Sequence, residues 1–271
     1  MKLAVNFSRP AADLLQSGQI NFDLFKTIDG PEMVSEASEI LPVYVHFGLY
    51  CGNGHGANFD WPVIEEYLAR TKTDFVNLHI VAPPELDPCD QSQVEKTLDR
   101  IVEEVRTVCD HFGADRVITE NIPLPLNGKK YLRPVALPTF FQRLAAETGC
   151  GMLLDLAHAA ITAKTLQTDP RSFFSEFPIR RLREIHVTGL GMHEGEIHDH
   201  MEMIDRDWNL FEYAIDRIKM GEWHAPDIVA FEYGGTGTPY LWRSEPRVLL
   251  EQVPRLKEMI YQHDNSRHTS G

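Results

Sequence analysis

The chain has 271 residues, 43% of them hydrophobic, which is ample for a large buried core and far from a disordered composition. Its formal charge of −14 leaves no broad basic footprint for a nucleic acid, the densest basic run being Arg180-Arg181 with Arg183 close by. The four cysteines, Cys51, Cys89, Cys109 and Cys150, show no C-x-x-C spacing, so neither a disulfide framework nor a thiolate zinc site is supported.

The opening stretch, Met1 to Ser8, holds a short apolar run but no long h-region, and no segment approaches the roughly 18 apolar residues of a membrane span. The expectation is a cytoplasmic protein with no membrane and no nucleic-acid partner. Short β-branched, apolar runs then alternate with helical patterns, which predicts βα units and a parallel sheet. Eight strands are expected: Leu3–Phe7, Phe22–Thr27, Val43–Leu49, Phe75–Val81, Arg116–Ile122, Met152–Leu156, Glu184–Thr188 and Ile228–Tyr233. The second is interrupted by Asp23 and Lys26. Between them, helices are expected over Val63–Ala69 (capped by Asp60, with Pro62 in its first turn), Val94–His111, Thr139–Thr148, Trp208–Met220 and Glu245–Tyr261. This order predicts a single (β/α)8 TIM barrel over residues 1–261, with a doubly wound sheet as the alternative and residues 262–271 as a disordered tail.

In such a barrel the chemistry gathers at the C-terminal ends of the strands. Those ends carry His46, His79, Glu120, Asp155 followed by His158, His186, then His198 and His200 in the next loop, and finally Glu232. Any one of these has an ordinary reading: a strand histidine is commonly hydrogen-bonded core, His198 and His200 could be solvated, and Asp155 could simply cap a helix. Glu120 and Glu232 are harder to dismiss, because a carboxylate in an apolar strand rarely stands unpaired. The joint pattern points to metal. Converging carboxylates repel one another unless one is protonated, and a divalent or trivalent cation removes that cost. Mixed imidazole and carboxylate donors suit iron, zinc or manganese rather than copper(I). His55, His111, His193 and His224 fall outside this register and read as surface or supporting groups, and His263 and His268 lie in the tail. Tyr44, Asn77, Asn121, Thr188, Asp199 and Tyr233 flank the donors and could contact them or a substrate, and Cys51 could reach the same mouth.

The order His, His, Glu, Asp-x-x-His, His, His-x-His, Glu resembles the trinuclear pattern of the xylose-isomerase-like barrel superfamily, to which endonuclease IV belongs. The segment from Phe140 to Asp155, together with Ile118–Ile122, Glu184–Gly189 and Leu41–Val45 leading into His46, is similar to the multinuclear non-heme iron-dependent oxidases, a family that includes the methanobactin-maturation oxidase. This chain has His198 where the family usually carries Asp, and His158 where it often carries Asn; both exchange an oxygen donor for nitrogen. The resemblance implies three sites. One uses His46, His79 and Glu120; a second shares Glu120 and adds Asp155, His186 and Glu232; a third uses His158, His198 and His200. It implies two or three iron ions, dioxygen as oxidant, and a peptide substrate modified at cysteine during natural-product maturation, with room for a separate recognition protein. Metal-dependent hydrolysis of phosphate esters, sugar isomerisation or epimerisation, and a metal-binding scaffold without turnover are the other readings the same residues allow.

Overall fold

The computed structural model describes residues 1–53, 58–83, 85–125, 132–193, 196–235 and 243–268, the side chains of residues 196 and 262–268 excepted. In chain order the elements begin with β1 (Lys2–Asn6), α1 (Arg9–Gln16), β2 (Leu24–Ile28), α2 (Pro31–Ser38), β3 (Val43–His46), β4 (Tyr50–Cys51), α3 (Trp61–Arg70) and β5 (Val76–Ile80). They continue with α4 (Gln91–Phe112), β6 (Val117–Glu120), α5 (Pro138–Thr148), β7 (Gly151–Asp155), α6 (Leu156–Leu166), α7 (Pro170–Ser175) and β8 (Leu182–Val187). The last are β9 (Gly189–His193), β10 (Glu196–Met201), α8 (Asp205–Lys219), β11 (Ile228–Phe231) and α9 (Pro246–His268).

The chain divides into two compact units: residues 1–46, 70–73 and 184–271 form the first, and residues 47–69 and 74–183 the second. In the first unit five parallel strands run in the order β3-β2-β1-β11-β8. Alternation along each strand sends residues two apart to one face. Ala4, Leu24, Tyr44, Ile228 and Ala230 pack there as an apolar cluster, and the small alanines leave room for the Tyr44 ring. Helix α1 covers β-sheet core with Ala11, Ala12 and Leu14, and Ser8 starts it by accepting from Ala11 N at 3.3 Å.

In the second unit four parallel strands run in the order β7-β6-β5-β4. Phe75, Ile118 and Leu153 form its apolar floor. Two residues beyond Ile118 and Leu153 on the same face come Glu120 and Asp155; four beyond Phe75 comes His79. Each strand thus changes from apolar to ionisable as it approaches its C-terminal end. The long helix α4 is capped by Asp90, which accepts from Gln93 N at 3.0 Å, and ends at Gly113 with φ +90°.

Among the departures from the sequence expectation, three bear on the site. The expected strand Val43–Leu49 stops at His46, and a short separate strand, β4, pairs with β5 instead. Its second half is diverted because the Asn77 amide grips Phe47, accepting from its N at 2.7 Å and donating to its O at 3.0 Å. Lys26 does not interrupt the second strand; it lies inside β2 and is buried. The region after β8, expected as a loop, is the antiparallel hairpin β9–β10. Gly189 enters it where a Cβ would fall 1.9 Å from the Glu202 carbonyl oxygen, so no larger residue fits without moving the main chain. At the end of the chain α9 continues to His268; the tail's side chains and residues 269–271 lie outside the described residues. No helix among the described residues is long and apolar enough to cross a membrane.

Candidate metal centre

In the second unit His79 and Glu120 are register partners on the adjacent strands β5 and β6, which sets His79 Nε2 3.0 Å from Glu120 Oε2. The other ring nitrogen, Nδ1, lies 3.3 Å from the Leu49 carbonyl. With the ring proton donated to that carbonyl, Nε2 and the carboxylate face each other as two acceptors, an arrangement that calls for a cation. Glu120 Oε1 lies 3.6 Å from His158 Nδ1, which in turn is 2.9 Å from the Asn121 carbonyl. Asp155 closes the group. Its Oδ1 accepts from His158 N at 2.8 Å and starts α6 as an N-cap, while Oδ2 lies 3.7 Å from His158 Nδ1. Glu120, Asp155 and His158 each offer a donor atom within 4.8 Å of the others, and both carboxylates are buried. Asn121 fixes this corner: it accepts from Asp155 N at 2.8 Å and donates to Asp155 O at 2.9 Å.

In the first unit Tyr44 and His46 share one face of β3, and Glu184 and His186 share one face of β8. His46, Glu184 and His186 offer donor atoms within 4.8 Å of one another, and the two imidazole centroids are 5.1 Å apart. His186 Nε2 lies 2.7 Å from Glu184 Oε1, and Nδ1 lies 3.3 Å from Glu232 Oε1. The buried Lys26 ammonium pairs with Glu232. Burial alone would raise the Glu232 carboxyl, but His186 and then Lys26 outweigh it and hold that carboxyl well below the usual carboxylate range.

His200 Nδ1 sits 3.4 Å from Asn6 Nδ2, and Nε2 is 3.9 Å from Asp199 Oδ1. Its backbone has φ +55°, in the left-handed region that non-glycine residues occupy uncommonly, histidine more readily than most. His198 lies beside His193, ring centroids 5.8 Å apart, on the hairpin. Among the described residues, no converging group of three donors includes His198 or His200. His111 is exposed, stacked on Trp61 at 4.7 Å and bonded to Glu65 at 2.9 Å, and His224 is exposed; His55 lies outside the described residues. Cys51 is fully buried in β4, and burial, then Glu104, pushes its thiol far up, so it is no thiolate at neutral pH. Two participants were not singled out from sequence, Glu184 and Lys26. The available signal was the one that marked Glu120: a charged residue inside an otherwise apolar strand.

The donor set fits a metal. His79 and His158 each direct one ring nitrogen at a main-chain carbonyl, and His186 directs one at a carboxylate; this is how metal-binding histidines are commonly oriented.

A model of the RiPP precursor modification enzyme family MbnB/TglH/ChrH matches residues 61–224, more than half of the chain. The chain belongs to that family. A UPF0276 protein of Caulobacter vibrioides is 32% identical over 133 residues, 48% of this chain and 43% of that protein. The chain spans about half the length, or less, of the curated relatives it matches. Among solved structures, an L-ribulose 3-epimerase is similar with a TM-score of 0.56 at 12% identity, over 100% of this chain and 98% of that one. A family 2 AP endonuclease from Brucella melitensis is similar with a TM-score of 0.55 at 13% identity, over 93% and 98%. These likenesses show the fold of this MbnB/TglH/ChrH family member: the xylose-isomerase-like (β/α)8 TIM barrel.

Proposed function

We propose that this protein is a multinuclear iron-dependent oxidase that uses dioxygen to modify a peptide, at cysteine, during maturation of a peptide natural product. Support comes first from the family, whose members modify ribosomally made precursors. The single observation that carries the metal reading is the pairing of the half-buried His79 Nε2 with the buried Glu120 Oε2 at 3.0 Å, beside Asp155 and His158. In the second unit the proposed ligands are His79, Glu120, Asp155 and His158. In the first they are His46, His186 and Glu232, with His198 and His200 of the hairpin. Two or three iron ions bound there would supply the redox and dioxygen chemistry that no side chain provides.

The protein's own part is positioning and charge balance. Asn121 and the N-cap bond hold Asp155 still. Lys26 balances Glu232. Burial of Glu120, Asp155, Glu184 and His186 keeps bulk water from competing for the donors. A peptide would be the substrate, in line with a family defined by precursor modification, and a separate recognition protein is proposed as its partner.

The test is purification without oxygen, metal analysis, and oxygen uptake after iron reconstitution in the presence of a short cysteine-bearing peptide. Iron-dependent uptake with a mass change on the peptide supports the reading. Zinc as the only retained metal, turnover of a phosphate ester with zinc, and no oxygen uptake would replace it with hydrolysis, which the same imidazole and carboxylate donors could serve.

A further inference from the structure

We infer that Tyr44 and Glu184 form a positioning relay that keeps a proton on His186 Nε2 and so makes Nδ1 the metal-binding atom of that histidine. The inference rests on the metal reading above and specifies one of its ligands to the atom.

The relay lies wholly within the first unit. The Tyr44 hydroxyl contacts both oxygens of Glu184, at 2.7 and 2.6 Å, and Glu184 Oε1 contacts His186 Nε2 at 2.7 Å. Tyr44, Glu184 and His186 are all 0% exposed. A carboxylate in such a place is costly unless its charge is met by donors. The phenol can only donate to it, and the imidazole meets it only by donating from Nε2. The hydrogen bond made by one ring nitrogen determines what the other can do. With Nε2 committed to Glu184, Nδ1 is the nitrogen left to a cation, and in the metal-free chain it faces Glu232 Oε1 at 3.3 Å.

The geometry also separates Glu184 from the ligands. It is near enough to His46 and His186 to be counted with them as a donor. Its oxygens, however, are already engaged by Tyr44 and His186. Glu184 and His186 are two residues apart on one face of β8, as Tyr44 and His46 are on β3. Tyr44 and Glu184 therefore support His186. The Tyr44 ring is itself held among Ala4, Leu24, Ile228 and Ala230, so the relay ends in rigid apolar packing.

The experiment uses the full chain labelled with ¹⁵N-histidine and zinc as a diamagnetic probe. In the wild type, an exchange-protected Nε2–H signal from His186 is expected both before and after zinc, with zinc shifting Nδ1 alone. Glu184→Gln is expected to weaken zinc binding by about 10- to 100-fold without removing a whole equivalent at saturation. Tyr44→Phe keeps the ring and is expected to shift the Nε2–H signal and weaken zinc in the same direction. Zinc on Nε2, or an Nε2 without its proton, overturns the relay. So does loss of one full zinc equivalent in Glu184→Gln, which would make Glu184 a ligand, or unchanged affinity in both variants. If zinc moves neither nitrogen of His186, the metal reading of this residue fails, while the Nε2–H signal of the metal-free protein still reports on the relay. Should Glu184→Gln not fold, Tyr44→Phe and the wild-type spectra decide the matter.

Discussion

His79 and Glu120 occupy matching positions on neighbouring parallel strands, and their facing atoms, Nε2 and Oε2, are 3.0 Å apart, the carboxylate buried and the imidazole half-buried. Because the His79 Nδ1 side is directed at the Leu49 carbonyl, the pair is poised to share a cation. Glu120→Gln keeps shape and removes the charge. The expected outcome is a folded protein that retains at least one metal equivalent fewer than wild type, measured by elemental analysis after dialysis. A ligand present at about 1,000 times its Kd raises stability by about 4.1 kcal/mol, so zinc should raise the wild-type melting temperature by several degrees and the variant's much less. Equal metal content and equal zinc-induced shifts in the two proteins would remove Glu120 from the ligands.

Lys26 and Glu232 form a buried ion pair, and breaking such a pair from one side leaves a stranded charge. Lys26→Met is expected to destabilise the metal-free protein by about 3–5 kcal/mol in denaturant titrations. Glu232→Gln in the same background should recover much of that loss, since it removes the stranded carboxylate. A double-mutant cycle with no coupling would show that the pair contributes nothing.

The same carboxyl gives a pH dependence with a definite sign. Glu232 is held below its ordinary value in the folded chain, despite burial, by His186 and Lys26. Its contribution to stability is therefore fully present above the unfolded value, about 4.3 for glutamate, and is lost as pH falls below that toward the folded value. Metal-free wild type should lose stability over that acidic window, and Glu232→Gln should show a shallower loss. Identical slopes in the two proteins would contradict the assignment.

Much of this arrangement is visible in the linear pattern because strand alternation is local. Ile118 then Glu120, and Leu153 then Asp155, announce an apolar floor and a polar mouth within three residues. What the pattern conceals is pairing across the chain. Tyr44 meets Glu184 at a separation of 140 residues and Lys26 meets Glu232 at 206, and no periodicity encodes either contact. Lys26 reads as a break in an apolar run until its anion is known. The hairpin β9–β10 is hidden for a different reason. Its glycines and histidines resemble loop composition, and its strands are held by antiparallel pairing with each other rather than by an apolar face.

Asp155 has two duties that substitution can separate. Oδ1 caps α6 through His158 N at 2.8 Å, and Oδ2 faces His158 Nδ1 at 3.7 Å among the donors. Asparagine is as good an N-cap as aspartate, whereas alanine in its place costs about 1 kcal/mol. Asp155→Asn should therefore melt close to the metal-free wild type yet lose metal, because the cap survives and the charge does not. Asp155→Ala should lose both, and the stability difference between the two variants in the absence of metal isolates the cap. The backbone bonds from Asn121 to Asp155 N and O are untouched by either change, so the strand end should stay in place. If Asp155→Asn bound metal as tightly as wild type, the carboxylate would be a helix cap and nothing more, and the centre in the second unit would have to be rebuilt on Glu120 and the two histidines alone.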